Sequence, residues 1–226
     1  MDQKPPQNAS LAWQDDGAPR STLFDDPYFS SEGGLDETRH VFLQGNGLPE
    51  RFVDGFHIAE LGFGTGLNLL ATWQAWRNSG ARGKLRFTSF EAFPLSLPDM
   101  KRACACWPEL AELADLLLQN WPLQGPVNLG DVEVEVIIGD ISATLPAWQN
   151  KADAWFLDGF SPSKNPDMWS EITMLEVGKH TASNGTFATY TSAGHVRRSL
   201  AEAGFGVERV QGFGRKRHMS VGKMLG

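Results

Sequence analysis

Residues 56–78 read FHIAELGFGTGLNLLATWQAWRN. A short apolar run, Phe56–Leu61, meets a glycine-rich turn, Gly62-Phe63-Gly64-Thr65-Gly66. Leu67–Asn78 then follows with helical spacing (Leu67, Leu70, Ala71, Trp73, Trp76). Strand, glycine turn and helix in that order predict the first βα unit of a doubly wound sheet. In such folds ligands bind outside the carboxyl ends of the strands, where glycines let the chain turn tightly and approach closely. The spacing GxGxG differs from the dinucleotide fingerprint GxGxxG. Glu60 also stands two residues before the first glycine. An acid there is awkward for a pyrophosphate and suits a cationic ligand. A purely structural turn remains compatible with this stretch alone.

Working outward, the same rhythm continues. Leu85–Glu91 is a second strand candidate. Residues 98–119 have helical spacing broken at Trp107-Pro108. Val132–Ile138 alternates β-branched residues with Glu133 and Glu135, so it reads as a strand, and Ala154–Leu157 is a short buried one. Pro166–Ala182 is expected to be helical, Thr186–Tyr190 a strand, Gly194–Ala203 a helix, and Gly206–Val210 and His218–Val221 the last two strands. Strands alternating with helices indicate βαβ units and a mostly parallel sheet. The loop between the last two strands is too short for a crossover helix, so the sheet should end in an antiparallel hairpin. Upstream, Asp36–Gln44 is a short helix candidate ended by Gly45-Asn46-Gly47. Residues 1–24 read as a leader or edge segment, polar and broken by Pro5, Pro6, Gly17 and Pro19.

The chain has 226 residues, a length that α/β folds reach as one domain. Apolar residues make up 41% and charged residues 21%, which excludes a disordered chain. Twenty basic against 27 acidic residues give a net charge of −7, which disfavours indiscriminate nucleic-acid binding while allowing a local basic patch. Cys104 and Cys106, two apart in an expected helix, point in different directions and are poorly placed for a disulfide. No Cys/His cluster suggests a metal. No apolar run is long enough to span a membrane, and the polar start lacks a signal-peptide core. The cytoplasm is the expected compartment.

Glu60, Glu91 and Asp140 fall at three successive strand ends, with the glycine turn at the first, and Asp158 ends the fourth. Glu91 closes Thr88-Ser89-Phe90-Glu91 and is placed to accept from ribose hydroxyls. Asp140 closes Ile137-Ile138-Gly139-Asp140 and is placed to receive an adenine amino group. Asp158 ends a buried strand in DAWFLDGFSPSKNPDMW (153–169). Its loop carries Phe160, a face for stacking a base, with Pro162, Lys164, Asn165 and Pro166. Taken singly, Glu91 or Asp140 reads first as a solvated loop acid and Asp158 also as a cap of the turn at Gly159; their repetition beside the glycine turn favours a shared site.

These segments resemble the methyltransferase domains of bifunctional bacterial tRNA-modification enzymes, the MnmC family. The matching stretches are GLDETRHVFLQGNGLPERF (34–52), ELGFGTGLNLL (60–70), SFEAFPL (89–95), DAWFLDGFSPSKNPDMW (153–169), ATYTSAGHVRRSLAEAGF (188–205) and GFGRKRHM (212–219). The resemblance implies an α/β, Rossmann-like class I methyltransferase fold with a seven-stranded sheet, in which residues 25–226 form a single domain. It implies S-adenosyl-L-methionine as donor and tRNA as substrate, with an aminomethyl group on the wobble uridine (U34, 2-thiolated or not) converted to methylaminomethyl. Asp158 is the expected catalytic residue. Glu60, Gly62, Gly64, Thr65, Gly66, Asn68, Glu91, Asp140 and Asp158 are the expected cofactor contacts. Phe160, Lys164, Asn165, Arg215, Lys216 and Arg217 are the expected substrate contacts, with Arg197, Arg198 and His218 adding to the basic edge. In the family an FAD-dependent oxidoreductase domain follows; here the chain stops at Gly226, as a stand-alone methyltransferase or an excised domain. The rival readings are a class I methyltransferase acting on a small molecule or protein, an aminopropyltransferase-like enzyme, and a cofactor-binding module without activity.

Overall fold

The structure, a computed structural model, describes residues 8–15, 17–30, 33–123 and 125–226. The expected leader therefore lies partly outside the described residues. Its described part supplies β1 (Leu11–Trp13) and β2 (Pro19–Ser21), which form a small antiparallel sheet with β3 (Asp26–Pro27), just beyond the expected leader. Strands of two or three residues are too short to show a period in sequence. Then come α1 (Gly34–Thr38), β4 (His57–Leu61), α2 (Leu67–Ser79), β5 (Leu85–Glu91), α3 (Leu97–Cys104) and α4 (Ala111–Gln119). The second half holds β6 (Val127–Asn128), β7 (Val132–Ile138), α5 (Ile141–Ala147), β8 (Ala152–Leu157), α6 (Glu171–Lys179), β9 (Thr181–Thr189), α7 (Gly194–Glu202), β10 (Phe205–Gln211) and β11 (His218–Met224).

The main sheet has the order β10-β11-β9-β8-β4-β5-β7-β6. The five strands from β9 to β7 are parallel, and β10 and β11 form the expected antiparallel hairpin, with β11 also antiparallel to β9. Among the described residues the sheet has eight strands where the resemblance implies seven. The addition is β6, a two-residue antiparallel edge pairing with β7. From β4 the chain builds outward through β5 to β7, then returns to place β8 on the other side of β4. That reversal makes a crevice at the carboxyl ends of β4 and β8.

Alternation along each strand sends side chains to opposite faces. Ile58, Phe87 and Phe156 pack under α2, α3 and α4 in one core, whereas Ala59, Phe90 and Trp155 pack under α5, α6 and α7 in the other. The register Leu61↔Phe90, Leu61↔Leu157 and Glu91↔Ile138 ends the central strands at nearly one level, so the residues that follow them share one edge.

Two helix expectations change in detail. The stretch around Asp36–Gln44 is α1 followed by a π-helical turn, Arg39–Leu43, and a 3-10 turn, Gln44–Asn46, closed by left-handed Gly47. The stretch expected to be helical from Pro166 to Ala182 is helical only over α6. Ser170 caps it by accepting from Thr173 N, and Thr181 already begins β9. Cys104 is buried and Cys106 exposed, both free. Among the described residues no helix is long and apolar enough to cross a membrane. No group of His, Cys, Asp and Glu among them is arranged to hold a metal ion.

Candidate active site

A cavity of about 1010 Å³ opens at the carboxyl edge of the sheet, over the ends of β4, β5, β7 and β8. Its floor is the turn after β4. Gly62 (φ 86°) takes a conformation that side chains resist, and a Cβ there would sit 3.3 Å from Gly159 Cα. The two strand-end turns therefore touch backbone to backbone. The cavity lining includes Gly62, Gly64, Thr65 and Asn68; Gly66 faces inward, against Phe63 and Leu117.

Glu91 lies beside this turn. Its Oε2 accepts from Gly64 N at 3.0 Å and its Oε1 from Phe93 N at 2.8 Å. Burial raises its pKa above the usual carboxylate range, opposed by those N–H groups. The backbone N–H groups of Phe63 and Ala92 act on the same carboxylate. Asp140 caps α5 by accepting from Ser142 Oγ (2.6 Å) and Ser142 N (2.8 Å), which lowers its pKa. It is exposed at the rim.

Asp158 ends β8 beside Gly62. Its Oδ1 accepts from Gly159 N and its Oδ2 from Asn68 Nδ2, both at 2.8 Å. Burial pushes its pKa up to about 6, with the two donors and Lys216 holding it lower. Glu60 is not in the lining: it is 1% exposed beneath the floor, accepting from Asn68 Nδ2 (2.8 Å) and Ser89 Oγ (2.6 Å). Burial raises its pKa well above the usual range. Strand pleating explains this placement, because the residue two before the glycine points into the sheet layer rather than over its edge.

The residues expected to meet substrate divide. Phe160 and Asn165 line the cavity; Phe160 stacks on Phe24 at 4.8 Å and meets Tyr28 edge-on at 5.1 Å. Lys216 also lines it, with Nζ 2.8 Å from Glu37 Oε1 and 4.2 Å from the Tyr190 ring centre. Lys164 turns away to the Asp25 carbonyl and the Asp26 carboxylate. Arg215 and Arg217 sit exposed on the β10–β11 turn, outside the lining.

Other lining residues were not singled out in the sequence: Phe24, Tyr28, Glu37, Thr38 and Tyr190. Tyr190 Oη donates to the Gly159 carbonyl at 2.8 Å, pinning the Asp158 turn. Glu37, Thr38 and Tyr190 fall inside the family-like stretches 34–52 and 188–205, the one signal that pointed their way. Phe24 closes the edge segment and Tyr28 lies just beyond it, and no periodicity marks either.

The chemistry of the lining tests which ligand fits. Among the described residues it carries six acids, Asp26, Glu37, Glu91, Asp140, Asp158 and Asp167, and one base, Lys216, already held by Glu37. Such a site repels a diphosphate and suits a nucleoside bearing positive charge. S-adenosylmethionine, with a sulfonium, an ammonium and no phosphate, fits that donor set.

A doubly wound sheet with this glycine turn and acid-lined edge defines a class I methyltransferase. A family model described as S-adenosyl-L-methionine-dependent methyltransferase matches residues 108–225, and the chain belongs to that family. It is 47% identical over 97% of its length to the tRNA 5-methylaminomethyl-2-thiouridine biosynthesis bifunctional protein MnmC of Pseudomonas aeruginosa, and 46% identical over the same share to that of Pseudomonas paraeruginosa. It spans 36% of the length of each. MnmC2 from Aquifex aeolicus superposes with a TM-score of 0.73 at 26% identity, over 96% of this chain and 71% of that one. The spermidine synthase of Thermotoga maritima shares the fold alone, with a TM-score of 0.57 at 10% identity over 95% of this chain and 71% of that one.

Proposed function

We propose that this methyltransferase acts on tRNA, N-methylating 5-aminomethyl-(2-thio)uridine at the wobble position to 5-methylaminomethyl-(2-thio)uridine. The similarity to the Pseudomonas proteins supports the substrate class. The observation that carries the chemistry is Asp158, held by Asn68 and Gly159 at the end of β8 inside an acid-lined cavity.

The acceptor is a primary alkyl amine, whose ammonium has a pKa of about 10, as for Lys. At pH 7 removing that proton costs about 4 kcal/mol. S-adenosylmethionine supplies, when bound, a methyl group made electrophilic by its sulfonium. Glu91 and Asp140 are the proposed partners of its ribose and adenine, and the turn residues Gly62, Gly64 and Thr65 approach it with backbone. Asp158, titrating near 6, is a weak base toward such an ammonium. It also stabilises the ammonium, which opposes deprotonation. Its contribution is to receive or relay the proton, to aim the nitrogen lone pair, and to stabilise positive charge as the N–C bond forms. Glu60 acts beneath the floor, through Asn68.

Phe160 and Asn165 are the proposed contacts to the modified base, with Lys216 at the mouth. Arg215 and Arg217, on the exposed turn, contact phosphate. Lys164 stays with Asp25 and Asp26. Residues 25–226 work as one methyltransferase domain in the cytoplasm, and an FAD-dependent oxidoreductase, fused or separate, supplies the amine.

The test is mass spectrometry of nucleosides from tRNA incubated with the protein and labelled S-adenosylmethionine. Label in 5-methylaminomethyluridine derivatives is expected. Label in no tRNA nucleoside, or spermidine formed from putrescine and decarboxylated donor, overturns the reading.

A further inference from the structure

Asn68 is the hub of a buried clamp. Its amide nitrogen sends one N–H to Glu60 Oε1 and the other to Asp158 Oδ2, each at 2.8 Å. Its Oδ1 accepts from Thr38 Oγ1 at 2.9 Å. Ser89 Oγ holds the other oxygen of Glu60 at 2.6 Å. Thr38 is 4% exposed, Asn68 6% and Glu60 1%, so water does not readily replace the Thr38 and Glu60 partners, whereas Asp158 faces the cavity.

A primary amide has nearly the same shape with its oxygen and nitrogen exchanged, so hydrogen bonding alone selects its orientation. Two carboxylates on one side demand the nitrogen there. The carbonyl oxygen must then face Thr38, which supplies the hydroxyl it needs. Without that hydroxyl, a buried acceptor is left unsatisfied, and the amide tilts to find a donor. The N–H it shares with Asp158 is then the one that lengthens, because Glu60 is fixed from below by Ser89 while Asp158 faces the cavity.

We propose that Thr38 is a positioning residue for methyl transfer: by holding the Asn68 amide it sets the direction of the Asp158 carboxylate toward the amine. Glu60 is the second anchor of the same clamp. This inference rests on the methyl-transfer reading given above. The other charged or titratable groups around Asp158 are Glu37 from α1, Lys216 from the β10–β11 turn, Tyr190 after β9 and Glu60 on β4. Thr38 donates to Asn68, which in turn donates to Glu60.

The experiment compares Thr38→Val with Thr38→Ser in protein carrying ¹³C-labelled aspartate carboxyls. The Asp158 titration midpoint is read by NMR, and kcat and KM for tRNA methylation are measured in parallel. Thr38→Val is expected to raise the midpoint, since the carboxylate loses part of a donated N–H. It is expected to lower kcat by about tenfold, with KM for S-adenosylmethionine within about twofold. Thr38→Ser is expected to restore both readouts. Should Thr38→Val not fold, Thr38→Ala carries the same two readouts. An unchanged midpoint, or Val and Ser variants that behave alike, overturns the proposal. The NMR midpoint needs no acceptor, so it tests the clamp even if tRNA proves not to be the substrate.

Discussion

Lys216 Nζ donates to Glu37 Oε1 at 2.8 Å, joining residues 179 positions apart at the mouth of the cavity. The turn between β10 and β11 is thereby tied to α1, and the same ammonium lies 4.2 Å from the Tyr190 ring centre. Two of the family-like segments meet in this contact. Among the described residues Lys216 is the one base of the lining, and on the proposed reading it meets the RNA backbone there. With its side chain 49% exposed, Lys216 contributes little to stability through the pair. Lys216→Met should therefore leave folding intact and weaken tRNA binding. The salt slope of log K should become shallower by about 0.7–1, as for one lost phosphate contact. Fluorescence anisotropy between 50 and 200 mM salt measures it, and an unchanged slope removes Lys216 from the RNA contact.

Asp158→Ala should reduce methylation at least ~100-fold, the scale of losing a positioned proton acceptor. Affinity for S-adenosylhomocysteine should change much less. In the native enzyme kcat should fall as pH drops through about 6, because protonation removes the charge that holds the amine. Near-normal turnover in the variant, followed by the labelled-nucleoside assay, takes Asp158 out of the chemistry.

The same residue should weaken the ligand-free fold. Its pKa is about 6 when folded against an ordinary 3.8. A raised pKa means that the folded state holds the proton longer. The stability linked to it is thus present at low pH and is lost as pH rises from about 4 through 6. About two pKa units give a ceiling near 3 kcal/mol. Asp158→Asn removes the charge but offers one accepting oxygen to the two donors Gly159 N–H and Asn68 N–H, so the gain is smaller. By calorimetry the Tm difference between Asp158→Asn and the native protein should grow in the variant's favour between pH 4 and 7. A difference flat in pH excludes the linkage.

Glu91→Ala removes the acceptor shared by Gly64 N and Phe93 N, loosening the glycine turn as well as deleting a ribose partner. Binding of S-adenosylhomocysteine should weaken by about tenfold or more, roughly 1.4 kcal/mol. Titration calorimetry reads it directly, and an unaltered Kd removes Glu91 from the cofactor site.

Gly62→Ala forces a side chain into a positive-φ position against Gly159. The cost should be about 1–3 kcal/mol. Thermal unfolding should show a Tm lower by roughly 3–10 °C. A native Tm would mean that the two turns can separate freely.

Much of this architecture is written in local pattern. Phe56–Leu61 running into Gly62-Phe63-Gly64-Thr65-Gly66 and then into an amphipathic stretch specifies strand, turn and helix from neighbours alone. Alternation in Val132–Ile138 and the short link between β10 and β11 do the same for the sheet and its antiparallel end. Elements without enough residues to show a period, β1 to β3 and the two-residue β6, were not legible. The start of α6 was missed because its capping by Ser170 is a contact rather than a composition.

The sequence by itself determined the alternating strands and helices and the placing of Glu91, Asp140 and Asp158 at or just after strand ends, because these depend on residues adjacent in the chain. The register that brings those ends to one level is instead a pairing of distant residues. Only the tertiary structure decided which side chains meet. Strand pleat sends Glu60 under the floor instead of into the cavity, Lys164 is drawn to Asp25 and Asp26, and Lys216 is drawn to Glu37. Thr38, Asn68, Glu60 and Asp158 become one network although they lie on four separate segments. Hydrogen bonds between distant residues follow from packing geometry, and packing geometry has no period for a single sequence to display.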